Sequence, residues 1–66
     1  MNQIKGVPVH KNEHFSYVKF SEVEKVLGVE QAQKFDEWMT GKTCPIVGHD
    51  MVAYSWDFQY WVELYN

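Results

Sequence analysis

A chain of 66 residues accommodates one small domain and leaves no room for a second. Hydrophobic residues make up 45% of the chain and aromatic residues 17%, a composition that excludes a disordered polypeptide. Six lysines and no arginine stand against nine acidic residues, and the resulting net charge of −3 disfavours binding to the phosphates of nucleic acids.

The first 14 residues contain Gly6, Pro8 and only scattered apolar positions. We expect them to form an N-terminal arm that is extended in part and mobile. The folded domain is then expected over residues 15–66. Its first element is "FSYVKF", residues 15–20, whose side chains alternate in part between two faces and therefore predict a short strand.

Two helices are predicted next. In "SEVEKVLG", Ser21 and Glu24 match a capping box, and Gly28 is suited to end the helix. In "VEQAQKFDEWMTG", Gly41 supplies the stop, and helical spacing places four apolar residues together: Ala32, Phe35, Trp38 and Met39. Two helices separated by a Gly-Val corner are typical of a helix-turn-helix.

A β-hairpin and a last helix complete the predicted order. Residues 43–47 and 51–54 are β-prone and flank Gly48-His49-Asp50, which indicates a turn. Pro45 cannot donate a ladder hydrogen bond, so its strand is expected to be short or at a sheet edge. "WDFQYWVELY" predicts a helix with Asp57 as N-cap and with Trp56 and Trp61 as a hydrophobic staple. Its apolar stripe consists of Phe58, Trp61, Val62 and Tyr65.

In this order the elements resemble the MerR-like winged helix-turn-helix domains of phage and plasmid excisionases and related small regulators. The resemblance lies in "YVKFSEVEKVLGV", "WMTGKTCP", "IVGHDMVAY" and "WDFQYWV", and it covers about residues 17–64. The pattern is also similar to small phage and plasmid proteins of unknown function. It implies a small α+β domain of winged helix-turn-helix type, with two helices, a β-hairpin wing and a C-terminal helix.

The resemblance implies one way of binding DNA. In that family the second helix enters the major groove and the wing touches the backbone or the minor groove. Transferred by position, the contacts would come from Gln31, Gln33, Lys34, Lys42, Thr43 and His49. Carboxylates on the same helix repel phosphates, and no arginine is present for the commonest grip on guanine.

We therefore expect a non-enzymatic protein of a phage or mobile element that binds a basic host or phage protein and regulates or inhibits it. The candidate contact residues are acidic or aromatic: Glu30, Asp36, Glu37, Asp50, Trp56, Tyr60 and Tyr65. Trp and Tyr often dominate binding energies. The alternatives are that the aromatic residues all fill the core and that the acidic residues form an ordinary solvated helix face.

Two other functions stay open beside protein binding. One is a DNA-binding excisionase-like or transcriptional regulator, which would use the lysines and glutamines named above. The other is a structural or assembly component. Binding to DNA that weakens when Lys34 and Lys42 are replaced would favour the first of these two.

Three histidines and a single cysteine are the residues of the chain best suited to metal or nucleophilic chemistry. "HKNEH" from His10 to His14 matches the H-x-x-E-H pattern of inverted zinc peptidases, but that pattern requires a helix and none is predicted there. Cys44 and His49, with His10 or His14, fit no standard zinc-finger spacing. Cys44 with His49 as its base lacks a recognisable oxyanion site. We expect no catalysis, no metal site and no cofactor.

The sequence also bears on location. Crossing a bilayer takes about 20 consecutive apolar residues, and the chain has no such stretch. Its first residues lack the apolar core of a secretory signal, and one cysteine excludes an internal disulfide. We expect a cytoplasmic protein without membrane contact, either a monomer or a homodimer.

Overall fold

The computed structural model describes residues 3–65, which form an α+β fold of three helices and six strands. The helices are α1 (Phe20–Leu27), α2 (Val29–Met39) and α3 (Ser55–Tyr65). The strands are β1 (Gln3–Ile4), β2 (Val7–Pro8), β3 (His10–Lys11), β4 (Ser16–Lys19), β5 (Ile46–Val47) and β6 (Asp50–Tyr54). The predicted order of strand, two helices, hairpin and helix is present.

Two antiparallel sheets are formed by these strands. One has the strand order β3-β4-β6-β5, and the other contains β1 and β2 alone. In the centre of the larger sheet Val18 lies opposite Ala53, and both are fully buried. The predicted hairpin is present as β5 and β6, with a two-residue turn at Gly48-His49, because Val47 pairs with Asp50. Gly48 has φ +65°, a value that two-residue hairpin turns require.

The N-terminal segment differs from the predicted arm. Residues 3–8 form a small hairpin, β1–β2, and β3 pairs with β4 of the larger sheet. Val7 is fully buried in the core that the rest of the chain builds. Each of these strands has only two residues, which is too short for a period of two to be recognised. The domain therefore includes residues 3–11; residues 1 and 2 lie outside the described part of the chain.

Two of the predicted helix starts are wrong. α1 begins at Phe20, with Lys19 as N-cap and no side-chain cap, so Ser21 forms no capping box. α3 begins at Ser55, which places Asp57 in its first turn instead of at the N-cap. The predicted staple is also wrong, because Trp56 stacks on Tyr54 with ring centroids 4.5 Å apart. In both places the helix follows a strand directly, so the strand pairing sets where the helix begins.

Phe35 lies at the centre of the core. Its ring centroid is 5.1 Å from that of Phe58, 5.2 Å from that of Trp61 and 5.5 Å from that of Phe20. The buried cluster consists of Val7, Val18, Val23, Phe35, Met39, Ala53, Phe58 and Trp61. α1 and α2 meet at Gly28, whose φ of +96° only glycine adopts without strain. The corner lets both helices contribute to one core.

Candidate protein-interaction surface

α3 is apolar on two opposite sides. Its inner side contributes Phe58 and Trp61 to the core. Its outer side carries Trp56, Tyr60 and Leu64, spaced four residues apart and therefore on one side of the helix. Their side chains are 55%, 56% and 51% exposed. We call these three residues the outer α3 face. A helix with a single apolar stripe needs only one side covered, whereas α3 has a second apolar side that is open to solvent.

The aromatic rings of the outer α3 face are supported by rings beneath them. Trp56 stacks on Tyr54 at an interplanar angle of 13°, and Tyr54 contacts Phe15 edge-on at 5.3 Å. The ring centroid of Tyr60 lies 6.0 Å from that of Trp38 in α2. Rings held in this way have already lost part of their rotational freedom, so less entropy is lost when a ligand covers them. The face is therefore pre-organised for contact.

A cation already lies at the edge of this face. The Nζ atom of Lys42 is 4.4 Å from the centroid of the Trp38 ring, within the range of a cation–π interaction. Trp38 is half-buried and also borders an open groove of about 430 Å³ between α2 and α3. The groove is lined by Gln31, Lys34, Glu37, Trp38, Trp61 and Tyr65.

The charge around the outer α3 face is negative. α3 contains Asp57 and Glu63 and no basic residue. Gln59 Nε2 donates a hydrogen bond to Glu63 Oε2 at 3.1 Å, which holds this carboxylate on the exposed side of the helix. The partial negative charge at the C-terminus of α3 adds to that of the carboxylates. A cationic ligand is attracted to this region and an anionic one is repelled.

The predicted protein-binding residues do not form one patch. Glu37 and Tyr65 line the groove between α2 and α3. Asp36 lines a different groove, between α1 and α2, and Asp50 lies beside the hairpin turn. Glu30 is exposed in the first turn of α2. The acidic residues are thus divided between surfaces, whereas the aromatic residues lie together on α3.

The predicted DNA-contacting residues are also dispersed. Gln31 is half-buried against the groove between α2 and α3, while Gln33 lines the groove on the other side of α2. His49 occupies the tip of the hairpin, and Lys42 and Thr43 follow the end of α2. The exposed side of α2 carries three carboxylates (Glu30, Asp36 and Glu37) and one ammonium group (Lys34). This excess of negative charge is unfavourable for binding a polyanion such as DNA.

Leu64 and Trp38 both border the candidate surface, although the sequence predicted neither as a contact residue; Trp38 is half-buried against the core, as its helical spacing predicted. The i, i+4, i+8 spacing of Trp56, Tyr60 and Leu64 was a sufficient signal for a second apolar stripe on the last helix. The Lys42–Trp38 contact had no comparable signal, since Lys42 lies beyond the end of α2.

The histidines do not converge on a metal site. His10 lies in β3 and its Nε2 is 2.7 Å from Glu22 Oε1, so the H-x-x-E-H segment lacks the helix that its zinc chemistry requires. His14 Nε2 lies 3.7 Å from Glu13 Oε1, and both side chains are exposed. Within residues 3–65 there is no group of three or more His, Cys, Asp or Glu residues placed to hold a metal ion.

Cys44 lies half-buried just after α2. Burial raises the pKa of its thiol above the ordinary value, and the negative charges of Asp57 and Asp36 raise it further. A thiol with a raised pKa is protonated at neutral pH and is a weak nucleophile. Cys44 and His49 also border different surface depressions.

Comparison with protein-family models found no family that matches the chain, and no curated protein or solved structure matches it significantly. Within residues 3–65, none of the helices has the length and apolarity needed to span a bilayer. Any proposal about function therefore depends on the surface chemistry of this chain itself.

Proposed function

We propose that this chain is a non-enzymatic binding protein that regulates or inhibits a protein partner with a basic surface. The outer α3 face, Trp56, Tyr60 and Leu64, is the contact surface. One observation carries the proposal: three large apolar side chains, each more than half exposed, share one side of a helix whose opposite side is in the core. The resemblance of the sequence to phage and plasmid regulators suggests a partner in a phage or its host.

The energetic reason lies in the cost of keeping this face in water. Covering one large apolar side chain contributes about 1.5–3 kcal/mol relative to leaving it exposed. Trp and Tyr are also the residues that most often dominate measured binding energies. A pre-supported ring pair such as Trp56 on Tyr54 gains this energy without first being ordered.

The charge pattern favours a basic partner over a second copy of the chain. In a symmetric dimer formed through α3, the carboxylates Asp57 and Glu63 of both copies would be brought together without a basic residue on either helix. Like charges placed together at an interface cost free energy and suppress association. A partner with Lys or Arg beside an apolar strip is complementary to the same surface.

A pull-down from a bacterial lysate tests the proposal when wild type and matched variants are compared. The double variant Trp56→Ser/Tyr60→Ser removes the face; Ile46→Ser is the control, because Ile46 is 67% exposed but belongs to β5. We expect basic proteins that are recovered with wild type and with Ile46→Ser and lost with the double variant. Equal recovery with all three proteins would contradict the proposal.

DNA binding is the second candidate. Its support is the element order, in which β4 pairs with β6 and α1 and α2 meet at Gly28, as in a winged helix-turn-helix. On this reading Lys34, Lys42 and Thr43 contact phosphates. Fluorescence anisotropy with duplex DNA at low and moderate salt separates the candidates. Salt-sensitive binding that weakens in Lys34→Ala and Lys42→Ala favours DNA, and its absence favours the protein partner.

A further inference from the structure

The Lys42–Trp38 contact is held in place by the backbone. The Lys42 backbone N–H donates a hydrogen bond to the Met39 carbonyl oxygen at 2.9 Å, which fixes the chain just after α2. The exposed side chain then extends over the Trp38 ring, with Nζ 4.4 Å from the centroid. Trp38 is itself supported by Phe35, at 6.3 Å between ring centroids. A cation therefore has a rigid aromatic surface to lie on.

Tyr60 connects this aromatic surface to the outer α3 face. Its ring lies 6.0 Å from that of Trp38 at an interplanar angle of 48°. Two rings at such an angle form a corner that offers aromatic surface on two sides. Glu37 precedes Trp38 in α2 and borders the neighbouring groove between α2 and α3. A guanidinium group stacks favourably on ring faces of this kind.

We propose that the Trp38–Tyr60 corner is a binding site for an arginine side chain of the partner, and that Lys42 occupies this site in the free protein. The proposal rests on the proposed function, since it names the residue type by which a basic partner is recognised. Arginine stacks on aromatic rings better than lysine does, because its guanidinium group is planar and more weakly hydrated. The chain itself contains no arginine, so its own occupant is the weaker competitor.

Self-occupation has a consequence for selectivity. Because a ligand cation must displace Lys42, its binding free energy contains only the difference between its own interaction with the rings and that of Lys42. Lysine gains almost nothing by replacing lysine, whereas arginine gains from its better stacking. The site therefore discriminates between two cations of equal charge, which electrostatic attraction alone cannot do.

The test follows the Trp38 indole N–H by NMR in ¹⁵N-labelled protein during titration with a blocked tetra-arginine peptide. Trp38→Phe assigns the resonance. Lys42→Gln empties the site. Lys34→Gln is the matched control, because Lys34 lines the groove that Trp38 also borders and the substitution removes the same charge. Tetra-lysine serves as the peptide of equal charge. The peptide needs no natural partner, so this outcome is independent of the pull-down.

We expect the Trp38 resonance to respond to tetra-arginine at a midpoint about two- to fivefold lower in Lys42→Gln than in wild type, as the loss of one exposed cation–π competitor implies. Lys34→Gln is expected to match wild type at about 150 mM salt, where exposed charges are screened. Tetra-lysine is expected to bind more weakly than tetra-arginine. The proposal is overturned if the resonance does not respond in Lys42→Gln, if Lys34→Gln lowers the midpoint equally, or if tetra-lysine matches tetra-arginine.

Discussion

α2 and α3 contribute equally to the core but differ in what they present to solvent. Each has 11 residues and each places two buried side chains in the core, Phe35 and Met39 from α2 and Phe58 and Trp61 from α3. The exposed side of α2 carries charged and amide groups, as expected of a helix that faces water. The exposed side of α3 carries the outer α3 face instead.

The difference between the outer sides of α2 and α3 shows which apolar residues the fold requires. α2 demonstrates that a helix in this fold can pack with a polar outer side. The apolar outer side of α3 is therefore not needed to complete the core, and folding alone does not explain it. Exposed aromatic residues without a role in the core are where a binding function is most directly indicated.

The largest expected effect is on stability and comes from the core, to which both helices contribute. Phe35→Ala removes the ring at the centre of the core and is expected to cost about 3–5 kcal/mol of unfolding free energy. Since this loss can unfold so small a domain, Phe35→Leu is the measurable variant; it is expected to cost less than Phe35→Ala, because it leaves a smaller cavity. Tyr60→Ala on the outer α3 face is the control and is expected to change stability much less. Urea denaturation followed by circular dichroism measures all three, and similar losses for Tyr60→Ala and Phe35→Ala would show that the outer face is structural.

The second effect is on binding. Trp56→Ser/Tyr60→Ser is expected to weaken the partner complex by at least about 2 kcal/mol, or about thirtyfold, as for other aromatic hot spots. The equivalent change on α2, Glu30→Ser/Gln33→Ser, is the control and is expected to leave affinity nearly unchanged. Isothermal titration with a partner recovered from the lysate gives both values. A greater loss of affinity in the α2 variant would show that the partner contacts α2, which contradicts the proposal.

The long elements of the fold were predictable from the sequence, and the short ones were not. α2 and α3 each repeat their apolar spacing over several turns, so their existence and most of their core residues could be read directly. Tyr65, which the sequence places in the apolar stripe of the last helix, is instead 63% exposed. β1, β2 and β3 have two residues each and are stabilised by pairing partners that the sequence does not reveal. The starts of α1 and α3 depend on the pairing of β4 with β6, a contact between distant segments.

The residues of the candidate site were predicted only in part, because their exposure can be predicted from the sequence but their grouping in space cannot. The exposure expected for Trp56, Tyr60 and Tyr65 is present. Assigning a single apolar stripe to the last helix concealed the second one, which includes Leu64. The acidic residues were grouped because they are close in sequence. Neighbours along a helix point in different directions, so Asp36 and Glu37 border different grooves.

A third prediction concerns the acidic residues of α3 as a barrier to self-association. Asp57→Asn/Glu63→Gln removes the charges that a symmetric α3 dimer would bring together, while the apolar outer face is kept. We expect about tenfold tighter dimerisation than in wild type, because like-charge repulsion at an interface is removed. Asp36→Asn/Glu37→Gln on α2 removes the same charge and is expected to have no such effect. Analytical ultracentrifugation at moderate salt compares them; equal dimerisation by both variants would mean that only net charge matters.

The smallest expected effect is on the pKa of Cys44. This thiol reports the electrostatic potential that carboxylates of α2 and of α3 produce at one atom. Asp57 of α3 and Asp36 of α2 both raise the pKa of this thiol, Asp57 more than Asp36. Because a negative charge disfavours the thiolate, Asp57→Asn is expected to lower the thiol pKa more than Asp36→Asn, and both less than unfolding does, since burial is the main cause. The pH dependence of alkylation by iodoacetamide reports each pKa, because only the thiolate reacts. The midpoint of the alkylation rate is expected at the highest pH in wild type, at a slightly lower pH in Asp36→Asn and at a still lower pH in Asp57→Asn, because the pKa of the Cys44 thiol falls in that order. The reverse order would mean that the negative field at this point of the surface comes mainly from α2.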